Sequence, residues 1–346
     1  MGKRRMVEHT GEIQYHHWQQ KRIPPVERVR DGLWSVPVPM PRGYLLAYAL
    51  ELPDGIALVD AGWPSEKAWR ALVDGLAEIG FQPRHIRAVL ATHVHSDHYG
   101  LAGRIREESG AWLAMHPVDA AWGNGTGAAD PKKLWPEQRV RFGCPEPAPA
   151  PGDGGHEWQD VYRTRPDTQV EDGALLDLPG WRLRAIWTPG HSPGHVCYHE
   201  EELGLLLAGD HVLPRVTPHV RVTPMQRADP LGDYLHSLAA VRALPVDEVL
   251  PGHEYRFTSL RERVDDLIDH HEARLAEIER HLTTFPGSTC WQLTRSLSWS
   301  APLESRSSSA RSRSAARETY AHLVLLAARG RVEASGEDPE RWWVRV

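Results

Sequence analysis

Cysteine is scarce in this chain, and its pattern indicates the compartment in which the protein works. Only Cys144, Cys197 and Cys290 occur among 346 residues, and no two of them form a CxxC pair. An odd number of widely spaced cysteines does not build the disulfide framework of a secreted domain. Free thiols are typical of the reducing cytoplasm. The sequence therefore predicts a cytoplasmic protein.

Long hydrophobic runs and an excess of positive charge are also missing. The longest apolar run covers residues 203–209, whereas a membrane-spanning helix needs about 20 apolar residues. The basic residues that follow Met1 do not lead into the apolar segment of a signal peptide. A formal net charge of -6 argues against a surface that binds nucleic acid over its whole extent. We therefore expect no membrane partner, and we expect any contact with nucleic acid to be local.

The order of predicted elements indicates a mixed α/β (α+β) chain of several units. Predicted strands at 43–52, 56–59, 86–91, 183–187, 196–199 and 205–208 alternate with helices such as 64–80. A Pro/Gly-rich insertion at 116–172 interrupts this pattern, and its aromatic residues favour a packed cap over a disordered linker. The predicted units are a loose N-terminal arm (1–29), a catalytic domain (30–258), a linking helix (259–283) and a small C-terminal unit (284–346).

Histidine, by contrast, is abundant, with 20 residues in the chain, and one stretch concentrates it. The sequence His93-Val94-His95-Ser96-Asp97-His98 directly follows a predicted buried strand. Several imidazoles beside a carboxylate are costly to bury without a partner, and both groups are good ligands for zinc and its neighbours. A solvated polar loop is the alternative. The spacing favours a metal site, with room for two adjacent ions.

Three later loops carry residues of the same kind just past a strand. His191 follows the strand that ends at Trp187, Asp210 follows the strand from 205, and His253 follows a short strand at 248–250. Glycines in each loop allow close backbone approach. Asp60 also ends a strand, either as a loop anchor or as a group that orients a metal ligand.

With these four motifs the sequence resembles the metallo-β-lactamase-fold hydrolases over about residues 30–257. The resemblance implies an αββα sandwich with the metal site at one edge between the sheets. It implies that His93, His95 and His191 hold one metal, that Asp97, His98 and His253 hold the other, and that Asp210 bridges them. Well-known zinc β-lactamases have cysteine near the bridging position. Aspartate there is the pattern of the hydroxyacylglutathione hydrolase, lactonase and ribonuclease branches.

The predicted function is a dinuclear metal-dependent hydrolase in which a metal-bridging hydroxide attacks a carbonyl or phosphorus atom. Zinc is the expected metal, and manganese or iron would suit the same nitrogen and oxygen ligands. Asp97 is expected to ligate and also to steer the nucleophile. His211 is a candidate proton donor or substrate contact, or equally a packing residue, as is His195. The predicted substrate is a small ester, thioester or lactone.

The C-terminal unit raises an alternative. Its predicted order of helix, helix and hairpin, with residues 319–332, resembles the winged-helix appendage of β-lactamase-like-2-type proteins, some of which act on single-stranded RNA. Nine arginines stand against six acidic residues from 284 onward, and Arg306, Arg311, Arg313 and Arg317 cluster there. This cluster predicts phosphate contacts, as in an endoribonuclease. The alternative, which we favour, is that the C-terminal unit is a docking unit that shapes the active-site wall. A third alternative is a nucleic-acid-binding regulator with a vestigial hydrolase domain, against which the intact ligand set argues.

Overall fold

The computed structural model describes residues 7–121, 131–145, 164–222, 228–300, 303 and 310–345. Its helices, apart from a short 3-10 helix at Pro83–His85, are α1 (Glu12–Gln19), α2 (Glu66–Glu78), α3 (Ser96–Tyr99), α4 (Ala102–Ser109), α5 (Pro117–Ala120), α6 (Pro131–Phe142), α7 (Pro230–Arg242), α8 (Leu260–Thr284), α9 (Cys290–Ser296) and α10 (Ala310–Ala328). The first-sheet strands are β1 (Glu27–Arg30), β2 (Leu33–Met40), β3 (Gly43–Leu52), β4 (Gly55–Val59), β5 (Ile86–Leu90), β6 (Trp112–Met115) and β7 (Thr168–Gln169). The remaining strands are β8 (Leu183–Trp187), β9 (Val196–Glu200), β10 (Leu205–Gly209), β11 (Glu248–Pro251), β12 (Ser288–Thr289), β13 (Val332–Ser335) and β14 (Arg341–Val344).

Two sheets face each other and share a core. The first has the strand order β1-β2-β3-β4-β5-β6-β7, and the second has the order β11-β10-β9-β8. Strand β3 is buried on both faces, because its alternate residues point to opposite sides of the sheet. Leu46 and Tyr48 join the core between the sheets, together with Tyr198 and Leu207 of the second sheet. Leu45 points to the other face of the first sheet.

Helices cover both outer faces of this pair of sheets. On the first sheet, Leu72 and Leu76 of α2 and Ile105 of α4 pack against the sheet residues. On the second sheet, α7, α8, α9 and α10 form one large apolar cluster. Burying one apolar stripe per helix is the arrangement that stabilises such layers. The predicted αββα sandwich is therefore confirmed.

The direction of the strands brings the motif loops to one edge. Strands β4, β5 and β6 are parallel, so their carboxyl ends lie together. Strands β10 and β11 are parallel. Since β8 and β10 are each antiparallel to β9, β8 runs in the same direction as β10. The Tyr198 hydroxyl donates to the Ala91 carbonyl at 2.8 Å, and the Tyr48 hydroxyl donates to the Pro251 carbonyl at 2.9 Å. These bonds tie the two sheets together beside that edge.

The expectation of a loose N-terminal arm over 1–29 is wrong for its described part. Residues 12–19 form helix α1 and residues 27–30 form strand β1. Gln14 is fully buried, where its amide donates to Ser35 and accepts from the Arg256 backbone N–H, both at 3.0 Å. The ring of Tyr15 packs edge-on against Tyr255 at 5.0 Å. These partners are far away in the sequence, so the local polar composition gave no sign of them.

The predicted cap at 116–172 is described only in part, because residues 122–130 and 146–163 lie outside the described residues. Within it, helix α6 packs on the C-terminal unit. The ring of Phe142 lies 4.6 Å from that of Tyr320, and the Arg141 carbonyl accepts from the Glu340 backbone N–H at 2.9 Å. The cap role stays a prediction.

The C-terminal unit follows the predicted order of helix, helix and hairpin. Strands β13 and β14 pair antiparallel, and β12 pairs with the other edge of β14. The winged-helix assignment stays a prediction. Among the described residues, no helix combines the length and apolar character needed to cross a bilayer.

Candidate metal centre

The loops that follow β5, β8, β10 and β11 bring seven predicted ligands together. The first group contains His93, His95 and His191, whose potential ligand atoms all lie within 4.8 Å of one another. Nε2 of His93 is 2.8 Å from Nδ1 of His95, and Nε2 of His191 is 3.0 Å from the same Nδ1. Three imidazole nitrogens therefore point at one small region.

The second group contains Asp97, His98 and His253, again with ligand atoms within 4.8 Å of one another. Oδ2 of Asp97 lies 3.8 Å from Nε2 of His98 and 3.4 Å from Nε2 of His253. Helix α3 begins immediately after His95, and its turn brings Asp97 and His98 to His253. The ring of His98 stays next to the first group, 4.0 Å from that of His93.

Asp210 lies between the two groups. Its Oδ2 is 3.4 Å from Nε2 of His191 in the first group. Its Oδ1 is 3.3 Å from Nε2 of His253 and 3.5 Å from Nε2 of His98 in the second. One carboxylate thus presents a different oxygen to each group.

The donor atoms of the two groups are arranged to bind cations rather than to form hydrogen bonds with one another. Nε2 of His98 and Oδ1 of Asp210 are buried without a hydrogen-bond partner among the described residues. Buried polar atoms are rarely left in this state. Clusters of imidazole and carboxylate donors are typical of sites for zinc and similar divalent ions. The residues present therefore fit divalent metal binding.

Asp60 orients His98 of the second group. Of the two roles that the sequence allows for Asp60, a loop anchor or a group that orients a metal ligand, the structure supports the second. Its Oδ2 accepts from Nδ1 of His98 at 2.7 Å, which leaves Nε2 free to ligate. The same carboxylate accepts from the backbone N–H and the hydroxyl of Thr92. Asp60 itself has a φ of 63°, a left-handed conformation that aspartate tolerates better than most residues. Such partners fix the tautomer and orientation of a metal-ligating histidine.

Asp119 connects the loops of the first group, and sequence reasoning missed it. One carboxylate oxygen accepts from the Val94 backbone N–H at 3.0 Å and from the Ser192 hydroxyl at 2.7 Å. The other accepts from the Gly194 backbone N–H at 2.6 Å. Burial raises the pKa of this carboxyl to about 6, against the lowering effect of these three hydrogen bonds. The sequence pattern could have identified Asp119, because this residue lies just past strand β6, as Asp60 and Asp210 lie just past strands β4 and β10.

Backbone carbonyls orient two more of the predicted ligands. Nδ1 of His253 lies 2.8 Å from the Tyr44 carbonyl, and Nδ1 of His191 lies 3.0 Å from the His219 carbonyl. In both rings an Nδ1–H donor to the carbonyl leaves Nε2 facing the metal centre. His219 thus positions a predicted ligand.

His195 and His211 lie behind the ligands. Nε2 of His195 accepts from the Asp210 backbone N–H at 3.2 Å, and its Nδ1 is 2.8 Å from the Thr188 hydroxyl. His195 therefore positions the loop of Asp210. His211 is fully buried, with its ring 5.9 Å from His195 and 5.2 Å from Tyr234. Burial lowers the pKa of His211 to about 3. This position favours packing, and its proton-donor role stays a prediction.

Two glycines allow the loops to approach this closely. A Cβ on Gly252 would lie 2.8 Å from Cε1 of His98, and a Cβ on Gly209 would lie 2.8 Å from Nε2 of His195. Gly209 also has a φ of +47°, which favours glycine. The glycines beside Asp210 and His253 thus have the role that the sequence predicts.

Comparison with known proteins agrees with this geometry. The family model described as the metallo-beta-lactamase superfamily matches residues 40–253. The chain is 27% identical to the probable metallo-hydrolase YqjP of Bacillus subtilis (strain 168) over 279 residues, which cover 76% of this chain and 83% of that protein. A lactamase-like protein of Arthroderma otae is 32% identical over only 117 residues, 33% of this chain and 32% of that protein.

Solved structures show the same likeness over nearly the whole chain. A metallo-beta-lactamase family protein from Thermus thermophilus is 31% identical, with a TM-score of 0.79, and the match covers 92% of this chain and 100% of that one. A beta-lactamase domain protein from Burkholderia ambifaria has a TM-score of 0.77 at 23% identity, over 98% and 97% of the two chains. The second match supports the fold alone.

Proposed function

Because this chain belongs to the metallo-beta-lactamase superfamily and is a metal-dependent hydrolase, we propose that it holds two divalent cations and cleaves a small ester, thioester or lactone. The observation that carries this proposal is the position of Asp210. Its two oxygens face separate groups of ligands, at 3.4 Å from His191 and 3.3 Å from His253. A single-metal site would need only one of these groups.

Two bound cations would supply an activated water and polarise the substrate carbonyl. His93, His95 and His191 would hold one of them, and Asp97, His98 and His253 would hold the other. Asp210 would contact both, and His195 would fix its backbone. Asp60 and Asp119 would keep the imidazoles in place while charge develops on the substrate. Zinc suits this donor set, and so do manganese and iron.

The aspartate at position 210 supports an acyl substrate other than a β-lactam. It is the residue of the hydroxyacylglutathione hydrolase, lactonase and ribonuclease branches, where well-known zinc β-lactamases have cysteine. The three cysteines are buried, and none of them belongs to the ligand groups among the described residues. Glutathione itself is not specified, because the helical domain that binds it is not recognisable in the sequence.

Cleavage of single-stranded RNA is a second candidate. One observation favours it: Arg221, which lies beside His95, and Arg313 are close enough to Arg317 of α10 to repel its positive charge. RNA phosphates would be attracted to such a cluster. A ribonuclease of this kind should bind RNA with a steep dependence on salt concentration, whereas hydrolysis of a small neutral ester should be nearly independent of salt.

The experiment is a substrate panel with the zinc-loaded and manganese-loaded protein. We expect turnover of a thioester or a lactone that disappears with a chelator, and little cleavage of single-stranded RNA. Since losing a partner of a ligand already costs about 10–100-fold, His191→Ala should lower the rate at least about 100-fold. His236→Ala, an exposed histidine on α7, is the matched control and should keep the rate. Turnover of RNA alone would replace the first proposal with the second.

A further inference from the structure

Arginine side chains lie on one side of the metal centre. Nη2 of Arg221 is 3.3 Å from Nε2 of His95. Arg221 is two residues after His219 in the chain, and the carbonyl of His219 orients His191. This cation therefore lies at the first ligand group, on a segment that already positions a ligand.

Helix α10 brings a second cation to the same side. Nε2 of His219 lies 3.1 Å from the Ser314 carbonyl, so the segment of Arg221 is in contact with this helix. One turn further along, Arg317 donates from Nε to the Gln138 side-chain oxygen at 2.8 Å. The Gln138 amide in turn donates to the Val222 carbonyl at 3.2 Å. Helix α6, helix α10 and the segment of Arg221 thus meet at one place.

The contacts of Arg317 leave its charge uncompensated. Its guanidinium lies 5.3 Å from the ring centre of Trp135, and both this ring and Gln138 are neutral. Within the part of the chain that the structure describes, Arg317 forms no ion pair. Partial burial, and then the positive charges of Arg221 and Arg313, lower the pKa of Arg317 to about 10.

A half-buried guanidinium without an ion-pair partner, such as that of Arg317, is unfavourable unless an anion joins it. The planar guanidinium groups of arginine match the oxygens of carboxylates and phosphates, which they bind through paired, charge-assisted hydrogen bonds. The cluster lies beside the metal ligands, within reach of a substrate held there. It is therefore suited to a second, non-reacting part of the substrate.

We propose that Arg221 and Arg317, with Arg313 beside them, bind a carboxylate or phosphate group of the substrate while its scissile carbonyl lies at the metal centre. This inference rests on the proposed function and narrows its substrate class. The substrate is then an ester, thioester or lactone that carries an anionic group on its acyl chain or its leaving group. The C-terminal unit acts as one wall of the substrate site.

The test compares three aryl esters that differ only at the end of the acyl chain: a neutral methyl end, a carboxylate and a phosphate. With the zinc-loaded wild-type protein, we expect at least one anionic ester to have a kcat/KM about tenfold or more above the neutral one. The carboxylate and phosphate arms distinguish the two sources of negative charge. This comparison needs no variant, so it does not depend on the folding of a mutant.

Variants locate the site. In Arg317→Gln and Arg221→Gln the preference for the anionic ester should fall at least about tenfold, which corresponds to about 1.4 kcal/mol of binding free energy. Arg317→Lys, which keeps the charge but loses the paired geometry, should keep part of the preference. Arg311→Gln is the matched control, because Arg311 is exposed on the same helix, and it should leave the preference unchanged. Calorimetric titration of the zinc-loaded protein with glutarate gives a readout without turnover, and its affinity should fall in Arg317→Gln.

An equal kcat/KM for all three esters in the wild-type protein would overturn the inference. A preference that survives both glutamine variants, or that falls equally in Arg311→Gln, would also overturn it. Competition by an oligoribonucleotide, without competition by glutarate or inorganic phosphate, would assign the arginines to RNA instead. If no ester is turned over at all, the proposed function fails. The glutarate titration still decides whether the anion site exists.

Discussion

Replacing Asp119 by asparagine separates its positioning role from its contribution to stability. Asp119 accepts three hydrogen bonds, from Val94, Ser192 and Gly194, and so joins the loop of His93 and His95 to the loop of His191. An asparagine has nearly the same shape, but only one of its two terminal atoms accepts hydrogen bonds. The variant therefore keeps the packing and breaks the link between the loops.

The expected change in stability is small because two effects oppose each other. Losing one or two hydrogen bonds to a charged group costs about 2–4 kcal/mol. Against this, burying an ionised carboxyl costs several kcal/mol, which the neutral amide avoids, and the pKa of Asp119, raised to about 6 by burial, indicates that this cost exceeds the gain from its hydrogen bonds. The free energy of unfolding of Asp119→Asn should thus lie within about 1 kcal/mol of wild type. In Asp119→Ala all three donors lose their partner, at about 2 kcal/mol each; the avoided cost of burying the charge offsets only about half of this loss, so that variant should be destabilised by about 3 kcal/mol.

Metal affinity should change more than stability in Asp119→Asn. Removing a partner that holds metal ligands in place typically weakens metal binding by about 10–100-fold. Competition with a chromophoric chelator measures the zinc affinity, and chemical denaturation of the metal-free protein measures the stability. Asp172→Asn is the matched control, since among the described residues this exposed aspartate accepts only from the Trp187 backbone N–H, at 2.8 Å. If Asp119→Asn binds zinc with wild-type affinity, Asp119 does not position the first ligand group.

Three further predictions concern the second ligand group and the core. Asp60→Asn should weaken zinc binding by about 10–100-fold, because the group that holds Nδ1 of His98 at 2.7 Å changes; unchanged affinity in the chelator assay would contradict this. Burial lowers the pKa of His253, but the carboxylates of Asp210 and Asp97 raise it to about 9, so below pH 9 zinc must displace a proton. Zinc affinity measured between pH 6 and 9 should therefore rise with pH, by up to about tenfold per unit, and an affinity independent of pH would refute this. Phe142→Ala, at a side chain 1% exposed, should lower the free energy of unfolding by about 3–5 kcal/mol. Phe285→Ala, 58% exposed, should change it by less than about 0.5 kcal/mol in the same denaturant titration.

The strand-end residues could be predicted because chemistry and local pattern agree there. An apolar run followed by histidine or aspartate and glycine is visible within about ten residues of sequence. The structure brings His93, His191, Asp210 and His253 together at one edge of the sandwich, as the resemblance implies. The αββα arrangement could be predicted for the same reason.

Other elements depend on partners distant in the chain. Strand β2 was not predicted, since Pro37 and Pro39 are residues that usually interrupt a strand. Both prolines lie beyond Ser35, where the pairing of β2 with β1 ends. Their missing N–H groups therefore remove no hydrogen bond between β2 and β1. Helix α1 has a polar sequence, and contacts with residues 255–258 fix its position. Of the arginines beside the metal centre, the sequence predicted Arg313 and Arg317 as a cluster but not Arg221, because the fold alone brings residues 221 and 317 together.

The central claim is that Asp210 joins two metal ions, and the zinc content of Asp210→Ala compared with wild type tests it most directly. Both proteins would be loaded with zinc, passed through gel filtration and measured by mass spectrometry for metal per chain. We expect two zinc ions per wild-type chain, and at most one in the variant together with loss of hydrolysis. A wild-type chain that holds one ion, or a variant that keeps two ions and the full rate, would contradict the account.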